Sequence, residues 1–295
     1  MTKIKNYLSL IKFAHTIFAL PFALIGFVLG VTYLKSELGE VEITFNFYAY
    51  TFLFILLCMI FARSAAMAFN RYLDRNFDEK NPRTAVREIP AGIISANSAL
   101  LFTFIMSALF IATTYFINPL CFYLSPVALL VVLGYSYTKR FTPLCHLVLG
   151  LGLSLAPIGA YLAVTGKFDW LPLLFSCTVL FWVSGFDIIY ALQDEEFDKT
   201  YQLKSIPVWL GKSKALKVSE LLHVLSALCV IAAGWLGGFG IWYWIGSALF
   251  IGLLIYQHLL VKPNDLSKVN MAFFTTNGIA SVLFAVFVII DIQAS

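Results

Sequence analysis

The chain has 295 residues, of which 60% are hydrophobic and only 12% are charged, and its formal net charge is +4. A soluble domain carries about 25% charged residues, so this composition excludes a soluble globular protein and predicts a chain that lies largely in lipid. The positive charge does not predict a nucleic-acid partner, because the basic residues stand between long apolar segments and form no basic surface interleaved with aromatic side chains.

Nine apolar segments have the ~20 residues that a helix needs to cross the hydrocarbon core of a membrane. They are 13–34, 47–69, 97–117, 120–137, 144–164, 170–193, 217–236, 240–261 and 270–291. We therefore expect an all-α polytopic membrane helix bundle of about nine transmembrane helices, with residues 1–295 forming a single domain. The first segment lacks a convincing small-residue cleavage site, so we interpret it as a retained helix and not as a signal peptide.

The distribution of Lys and Arg predicts the orientation of the chain, since cytoplasmic loops collect basic residues. With the N-terminus inside, the outer side keeps only Lys35 and Lys167 of the 20 basic residues. We expect an integral protein of the bacterial inner membrane, with the N-terminus and the loops that carry the active site in the cytoplasm.

Two acidic clusters follow apolar segments on the predicted cytoplasmic side. The first follows the second segment and contains Asn70, Asp74 and Asp78, which form one stripe if the helix continues beyond the segment. The second follows the sixth segment and contains Asp194 and Asp198, which again share a helical face. Both clusters therefore present carboxylates at regular helical spacing at the same side of the membrane.

The spacing of these carboxylates calls for a positive partner. Like charges at i and i+4 repel one another, and carboxylates at membrane depth are costly and usually functional. Mg²⁺ is the natural partner, because it is commonly held by one or two carboxylates together with substrate phosphates. We predict that each cluster anchors a Mg²⁺ ion and that a diphosphate lies between them. The alternative is that the carboxylates pair with Arg71, Arg75 and Lys199 on hydrated helix ends.

Basic residues beside the clusters are candidates for binding the diphosphate. The segment 80–95 carries Arg83 and Arg87, and its Pro and Gly residues argue against a helix throughout. Lys204 follows the second cluster, and we select Arg83 and Lys204 because Arg offers fork-like donors and Lys a point charge. The accumulation of basic residues in cytoplasmic loops explains them equally well without a ligand. Arg140, after the fourth segment, either holds a substrate carboxylate or anchors its helix at the interface.

The remaining residue types that often carry chemistry show no site pattern. No two His residues have metal-ligand spacing, and the five Cys residues form no CxxC pair. We therefore predict structural roles for the Cys residues and for all four His residues, which are His15, His146, His223 and His258.

A cation- or proton-coupled transporter is the alternative from another functional class, because it would also use intramembrane carboxylates. Transporter sites lie near the bilayer midplane, often on broken helices, whereas these clusters end their segments beside basic loops. The position of the clusters therefore favours an enzyme that binds a diphosphate.

Two long stretches of the sequence resemble signatures of one family, the UbiA-type intramembrane aromatic prenyltransferases or 4-hydroxybenzoate polyprenyltransferase family. The stretch that resembles the first signature is NRYLDRNFDEKNPRT followed by REIPAG, and the stretch that resembles the second is DIIYALQDEEFDKTYQLKS. The stretches IKFAHTIFALPFALIG and YTKRFTPLCHLVLGL resemble further parts of the family pattern. The resemblance covers most of the chain, with its parts in the family's order.

This resemblance implies a bundle of nine helices around a central cavity and a Mg²⁺-dependent transfer of a polyprenyl group. The donor would be a polyprenyl diphosphate, whose long prenyl tail would leave the site through an opening toward the membrane lipid. The acceptor would be an aromatic acid, 4-hydroxybenzoate or a dihydroxynaphthoate, in ubiquinone or menaquinone biosynthesis. Arg140 matches a position associated with the aromatic substrate and Lys204 one associated with diphosphate. The family's metal–diphosphate positions match Asn70, Asp74, Asp78, Asp194 and Asp198.

The resemblance also bears on the acceptor and on the ring proton. Glu88 stands where the benzoate enzymes usually have Pro, and Gln202 stands where Gly is usual. The REIPAG variant slightly favours a dihydroxynaphthoate acceptor, while 4-hydroxybenzoate remains open. Asp187 lies seven residues before Asp194 and deeper in the membrane, where it would orient the ring or accept its proton. The benzoate-like first signature argues against haem-farnesylating and chlorophyll-type members of the family.

Overall fold

The structure is a computed structural model that describes residues 3–10, 18–38 and 45–294, and helices account for almost all of its regular structure. The eleven α-helices are α1 (Lys3–Leu10), α2 (Leu20–Leu38), α3 (Phe45–Lys80), α4 (Ala96–Tyr115), α5 (Pro119–Thr138), α6 (Cys145–Thr165), α7 (Trp170–Ala191), α8 (Glu195–Thr200), α9 (Ile206–Leu236), α10 (Ile241–Leu260) and α11 (Asn277–Ala294). A 3₁₀ turn joins α7 to α8, and a π-helical turn precedes α11.

The described residues contain nine helical spans long and apolar enough to cross a membrane, which confirms the predicted all-α membrane bundle. The first predicted segment began at residue 13, and its residues 13–17 lie outside the described residues. The short helices α1 and α8 were not predicted, because eight and six residues are too few for a span.

Two helices extend well beyond their predicted apolar spans and include polar residues outside them. The helix α3 continues past residue 69 to Lys80, so the first acidic cluster does lie on one continuous helix. The helix α9 begins at Ile206 and not at residue 217, with Ser205 as its N-terminal cap. Gly211, with φ 74° and ψ 162°, then interrupts the helix near its start. A search for apolar segments misses such polar helical ends, since hydropathy reports lipid contact and not helix formation.

The core of the bundle surrounds α7, which packs against α6 and α9. Its side chains Phe175 and Trp182 are fully buried, together with Phe22 of α2 and Phe250 of α10. The helix α2 packs closely on α6, where a Cβ at Gly26 would lie 2.0 Å from the Pro157 carbonyl oxygen. On the other side of α6, the helices α3 and α5 enclose an apolar cavity of about 420 Å³.

Candidate active site

A polar cavity of about 290 Å³ brings the two acidic clusters together. Its lining includes Asn70, Asp74 and Asp78 from α3. It also includes Asp194 and Asp198 from the 3₁₀ turn and α8 that follow α7. Residues more than a hundred positions apart in the chain thus face one space, as the sequence predicted.

The first cluster is held by the helical repeat of α3 and by two arginines from elsewhere. The carboxylates of Asp74 and Asp78 are both buried. Asp74 accepts hydrogen bonds from Asn70 Nδ2 at 3.1 Å and from Arg140 Nη2 at 2.9 Å. Asp78 Oδ1 accepts from Arg87 Nη1 at 2.6 Å, while its buried Oδ2 has no hydrogen-bond partner among the described residues.

The second cluster is held mainly by the loop that follows the first one. Both oxygens of Asp194 accept hydrogen bonds from the Arg83 guanidinium, with Nε at 3.2 Å from Oδ1 and Nη2 bonded to Oδ2. Asn81 Nδ2 lies 3.5 Å from the same carboxylate. Asp198 is buried, and its partner is Lys139 Nζ at 3.8 Å. Each of the four cluster carboxylates therefore faces one cation.

The cations that pair with the clusters are different from those nearest in sequence. Arg75 donates to the Tyr72 carbonyl of its own helix, and Arg71 is buried. No salt bridge of the described residues contains Arg71, Arg75 or Lys199, so the alternative prediction is wrong about the partners. Their place is taken by Arg83, Arg87, Lys139 and Arg140, which the fold brings to the carboxylates from other parts of the chain.

Arg83 remains charged in this arrangement. Its partial burial opposes the charge, but the Asp194 carboxylate and the Tyr190 hydroxyl at 2.9 Å raise the pKa of the guanidinium above its ordinary value. The loop 81–95 is a series of turns, as its Pro and Gly content predicted, with Gly92 at φ +70°. Thr84 Oγ1 bonds the Asp78 carbonyl at 3.1 Å and ties this loop to the end of α3.

Two of the predicted substrate-binding residues lie outside the cavity lining. The Arg140 guanidinium donates hydrogen bonds to Asp74 and to the carbonyl oxygens of Leu73 and Ser136, the last two at 3.0 and 2.8 Å. The Lys204 ammonium donates to the Phe141 carbonyl at 3.3 Å. The structure thus brings Arg83 to the cavity and leaves Arg140 and Lys204 behind its wall.

The two family departures also lie outside the cavity lining. The Glu88 carboxylate accepts a hydrogen bond from Ser9 Oγ of α1 at 2.5 Å. Gln202 has φ 55°, in the left-handed region that favours glycine, which gives a backbone reason for the family's usual Gly. The residues on which the preference for a dihydroxynaphthoate acceptor rested therefore do not line the cavity.

His146 also lines the polar cavity, although nothing in its spacing along the chain indicated this. It lines the polar cavity with Asp187, and its Nδ1 lies 2.7 Å from Asp187 Oδ2. His223 and His258 form a separate pair, with Nδ1 and Nε2 2.9 Å apart, and do not line this cavity. His15 lies outside the described residues. The prediction that the four His residues are only structural thus missed His146.

An aromatic wall of Tyr190, Phe273 and Phe274 closes one side of the polar cavity. The rings of Tyr190 and Phe273 have centroids 4.2 Å apart. The two phenylalanines lie on the π-helical turn Met271–Thr276, whose carbonyls at Ala272 and Phe273 accept hydrogen bonds from Asn277 Nδ2. Local sequence gave no signal for this turn, because its stabilising Asn277 is itself oriented by bonds from Trp182 and Gln257 on other helices.

The apolar cavity adjoins the polar one, since Met67, Tyr135 and Leu149 line both. Its lining is mostly aliphatic and aromatic, with Arg63 as its one charged residue in the described part of the chain, beside the polar Thr114 and Ser125. The buried Nε of Arg63 has no hydrogen-bond partner among the described residues. A long apolar chain lying here could therefore enter the polar cavity at one end.

The sequence and the fold place this chain among known proteins. Residues 19–279 match the model of the UbiA prenyltransferase family, and the chain belongs to that family and is a prenyltransferase. A 4-hydroxybenzoate octaprenyltransferase from Tolumonas auensis is 34% identical over 224 residues, which are 76% of this chain and 78% of that protein. Another from Nitrosospira multiformis is 31% identical over 233 residues, 79% of this chain and 80% of that protein.

Solved structures show the same fold. The apo structure of a UbiA homolog from Aeropyrum pernix K1 superposes with a TM-score of 0.81 at 30% identity, covering 94% of this chain and 98% of that one. A UbiA homolog from Archaeoglobus fulgidus, bound to GPP and Mg²⁺, gives a TM-score of 0.73 at 24% identity, covering 98% and 99%. The predicted membership of the family is confirmed, and these relatives' names give no support to a dihydroxynaphthoate acceptor.

Proposed function

We propose that this enzyme transfers a polyprenyl group from a polyprenyl diphosphate to a hydroxylated aromatic acid, with 4-hydroxybenzoate as the first acceptor to test. The observation that carries this proposal is the joining of the two cavities. One contains both acidic clusters with their cations, and the other is apolar and large enough for part of a prenyl chain. The names of the relatives, 4-hydroxybenzoate octaprenyltransferases, support this acceptor.

The residues of the polar cavity fit Mg²⁺, which Asn70, Asp74, Asp78, Asp194 and Asp198 would hold. All five offer the oxygen ligands that Mg²⁺ prefers, and the buried Asp78 Oδ2 lacks a partner among the described residues. The described chain contains no group of three or more His, Cys, Asp or Glu side chains close enough to hold a metal by themselves. Mg²⁺ commonly takes further oxygen ligands from substrate phosphates and water. When bound, Mg²⁺ supplies the charge that stabilises the departing diphosphate.

Four cations of the chain itself line the polar cavity, namely Arg71, Arg83, Arg87 and Lys139. Arg83, Arg87 and Lys139 bind carboxylates of the clusters, so a diphosphate would give them another anionic partner at little electrostatic cost. The guanidinium groups of Arg83 and Arg87 can bind phosphate in a fork-like manner. Lys139 is better supported here than Lys204, whose ammonium bonds a carbonyl outside the lining.

The prenyl chain would occupy the apolar cavity, with its reactive end near the aromatic wall. Ionisation of the carbon–oxygen bond produces an allylic cation that water would destroy. The aliphatic lining excludes water, and the faces of Tyr190, Phe273 and Phe274 attract positive charge.

The acceptor's carboxylate needs a cation that the protein does not already use. Arg140 is bonded to Asp74, whereas Arg63 and Arg71 form no salt bridge among the described residues and their buried Nε atoms have no hydrogen-bond partner there. Arg63 lies within a membrane span at the apolar cavity, where an unpaired charge is costly and usually functional. We therefore assign the acceptor's carboxylate to Arg63 or Arg71 in preference to Arg140.

The test is a product assay by mass spectrometry with the purified protein in detergent. It receives a polyprenyl diphosphate, Mg²⁺ and either 4-hydroxybenzoate or a dihydroxynaphthoate, with an EDTA control. A Mg²⁺-dependent prenylated product supports the proposal and identifies the acceptor. If folded protein makes no product with either acid, the acceptor assignment is wrong.

A further inference from the structure

A His–Asp pair between α6 and α7 differs from the ion pairs of the two clusters. His146 stands in the first turn of α6 and is 3% exposed, and Asp187 lies on α7. Both line the polar cavity, with His146 Nδ1 2.7 Å from Asp187 Oδ2. The four cluster carboxylates each face a Lys or Arg side chain, whereas Asp187 faces an imidazole.

The position of the imidazole hydrogen follows from the neighbours of the ring. The backbone N–H of Ile206, at the start of α9, points at His146 Nε2 at 3.4 Å. A backbone N–H can only donate, so Nε2 is the acceptor and Nδ1 carries the hydrogen. Nδ1–H therefore donates to Asp187 Oδ2. The Ser184 hydroxyl, which donates to the His146 carbonyl at 3.1 Å, ties the same residue to α7.

The second oxygen of Asp187 remains available to a ligand in the cavity. No other side chain of the described residues bonds this carboxylate, and 22% of its side chain is exposed. The cavity lining also includes Leu149, one turn after His146 on α6, and Phe273, whose apolar side chains suit the faces of an aromatic ring. A carboxylate with one oxygen fixed and the other free beside apolar walls is arranged to accept a hydrogen bond from a neutral hydroxyl.

We propose that Asp187 accepts the hydroxyl proton of the aromatic acceptor and that His146 is the residue that positions it. This inference rests on the proposed function. The prenyl carbon–oxygen bond breaks with its electron pair leaving on the diphosphate, and the hydroxyl proton passes to Asp187. The ring carbon ortho to the hydroxyl-bearing carbon then bonds the prenyl carbon. That ring carbon releases its hydrogen as a proton to the diphosphate, and Asp187 returns its proton to the oxygen.

The experiment compares His146→Leu, His146→Asn and Asp187→Asn in purified protein with a polyprenyl diphosphate, Mg²⁺ and the acceptor that the wild type uses. The Asn side chain at position 146 places an N–H close to where Nδ1–H stood, whereas Leu offers none. We expect kcat to fall about 100-fold or more in Asp187→Asn, as for loss of a general base, and about 10-fold or more in His146→Leu. His146→Asn should recover most of the loss. The KM for the polyprenyl diphosphate should stay within about twofold, because the clusters are intact.

The outcomes separate this inference from the proposed function. A wild-type protein that makes no prenylated product contradicts the proposed function itself. An active wild type with Asp187→Asn and His146→Leu near its rate contradicts the His–Asp inference alone. Equal losses in His146→Leu and His146→Asn, or a rise in the KM for the diphosphate, would mean that His146 only supports the fold and would overturn its positioning role. If His146→Leu does not fold, the comparison of His146→Asn with Asp187→Asn decides, since only the latter should be slow.

Discussion

The first acidic cluster stands on an unbroken helix, whereas the second stands where a helix breaks. Asn70, Asp74 and Asp78 follow the repeat of α3, so their mutual spacing is set locally. Asp194 ends a 3₁₀ turn and Asp198 lies on the six-residue α8, so their spacing depends on the turn.

The contacts of the two clusters compensate for this difference. Asp194 receives hydrogen bonds from Arg83 and Asn81, which both belong to the loop after the first cluster. The backbone N–H of Lys204, just beyond α8, bonds the Lys139 carbonyl at 2.6 Å. The cluster with the weaker local support is thus held by long-range hydrogen bonds, and the loop 81–95 connects the two halves of the site.

The largest expected effect is the loss of prenyl transfer when either cluster loses a carboxylate. We expect Asp74→Asn and Asp194→Asn each to lower kcat by about 10³-fold or more, because charge stabilisation of the leaving group contributes about 4 kcal/mol. Product formation with Mg²⁺ measures this loss. Glu79→Gln and Glu196→Gln are matched controls, because these exposed side chains stand beside the clusters and do not line the cavity. Full transfer by either Asp variant would refute the metal role.

A smaller effect is expected when Arg83, in the loop that connects the two clusters, is replaced by Lys, which keeps the positive charge but lacks the forked guanidinium. Arg83→Lys should raise the KM for the polyprenyl diphosphate about tenfold, since a single ammonium cannot bond Asp194 and phosphate as the guanidinium does. Initial rates at varied donor concentration measure this change. Arg75→Lys is the control, because Arg75 donates only within α3. An unchanged KM in Arg83→Lys would show that the loop does not bind the donor.

Asp74→Asn and Asp194→Asn should also differ in stability. The variant that loses the more buried ion pair, Asp74→Asn, should lose more of its free energy of unfolding. Removing the Asp74 charge leaves Arg140 without its carboxylate in a pair whose side chains are 8% and 26% exposed, and we expect a loss of about 2 kcal/mol. The pair of Asp194 and Arg83 is 21% and 36% exposed, so its loss should cost less than about 1 kcal/mol. Thermal unfolding in detergent without Mg²⁺ compares them. The reverse order would mean that the second cluster is the more firmly held.

The smallest effect concerns the break that follows the second cluster. Gly211→Ala should destabilise the protein by about 1 kcal/mol, because φ 74° brings a Cβ too close to the backbone. Gly252→Ala is the control within α10, where a Cβ meets nothing within 4 Å and helix propensity favours alanine. Thermal unfolding should show a lower midpoint for the first variant and an equal or higher one for the second. Equal midpoints would show that the break at Gly211 is not strained.

Much of the fold could be predicted because lipid imposes a simple rule on the sequence. Each helix must be apolar over ~20 residues, so hydropathy counted the spans. The extension of α3 followed from the spacing of its polar residues, whereas the early start of α9 was missed. Its first turn depends on the Ser205 cap and its break on Gly211, and neither changes the hydropathy of the segment.

The site was predictable where a pattern lies along one element and unpredictable where elements meet. The two clusters and Arg83 do face one cavity. Arg140 was expected at the substrate, but the fold gives it Asp74, which is 66 positions away. The place of His146 in the cavity lining was not predicted, because it depends on a contact with Asp187, which lies 41 positions further along the chain.

The sequence by itself determined the membrane bundle, the number of its spans and the two stripes of carboxylates, because these follow from composition and from the 3.6-residue repeat of a helix. Only the tertiary structure decided which cation faces each carboxylate, that Asp187 faces an imidazole, and that the π-helical turn presents Phe273 to the cavity. These features depend on contacts between residues far apart in the chain. Their distances are set by helix packing, on which local spacing carries no information.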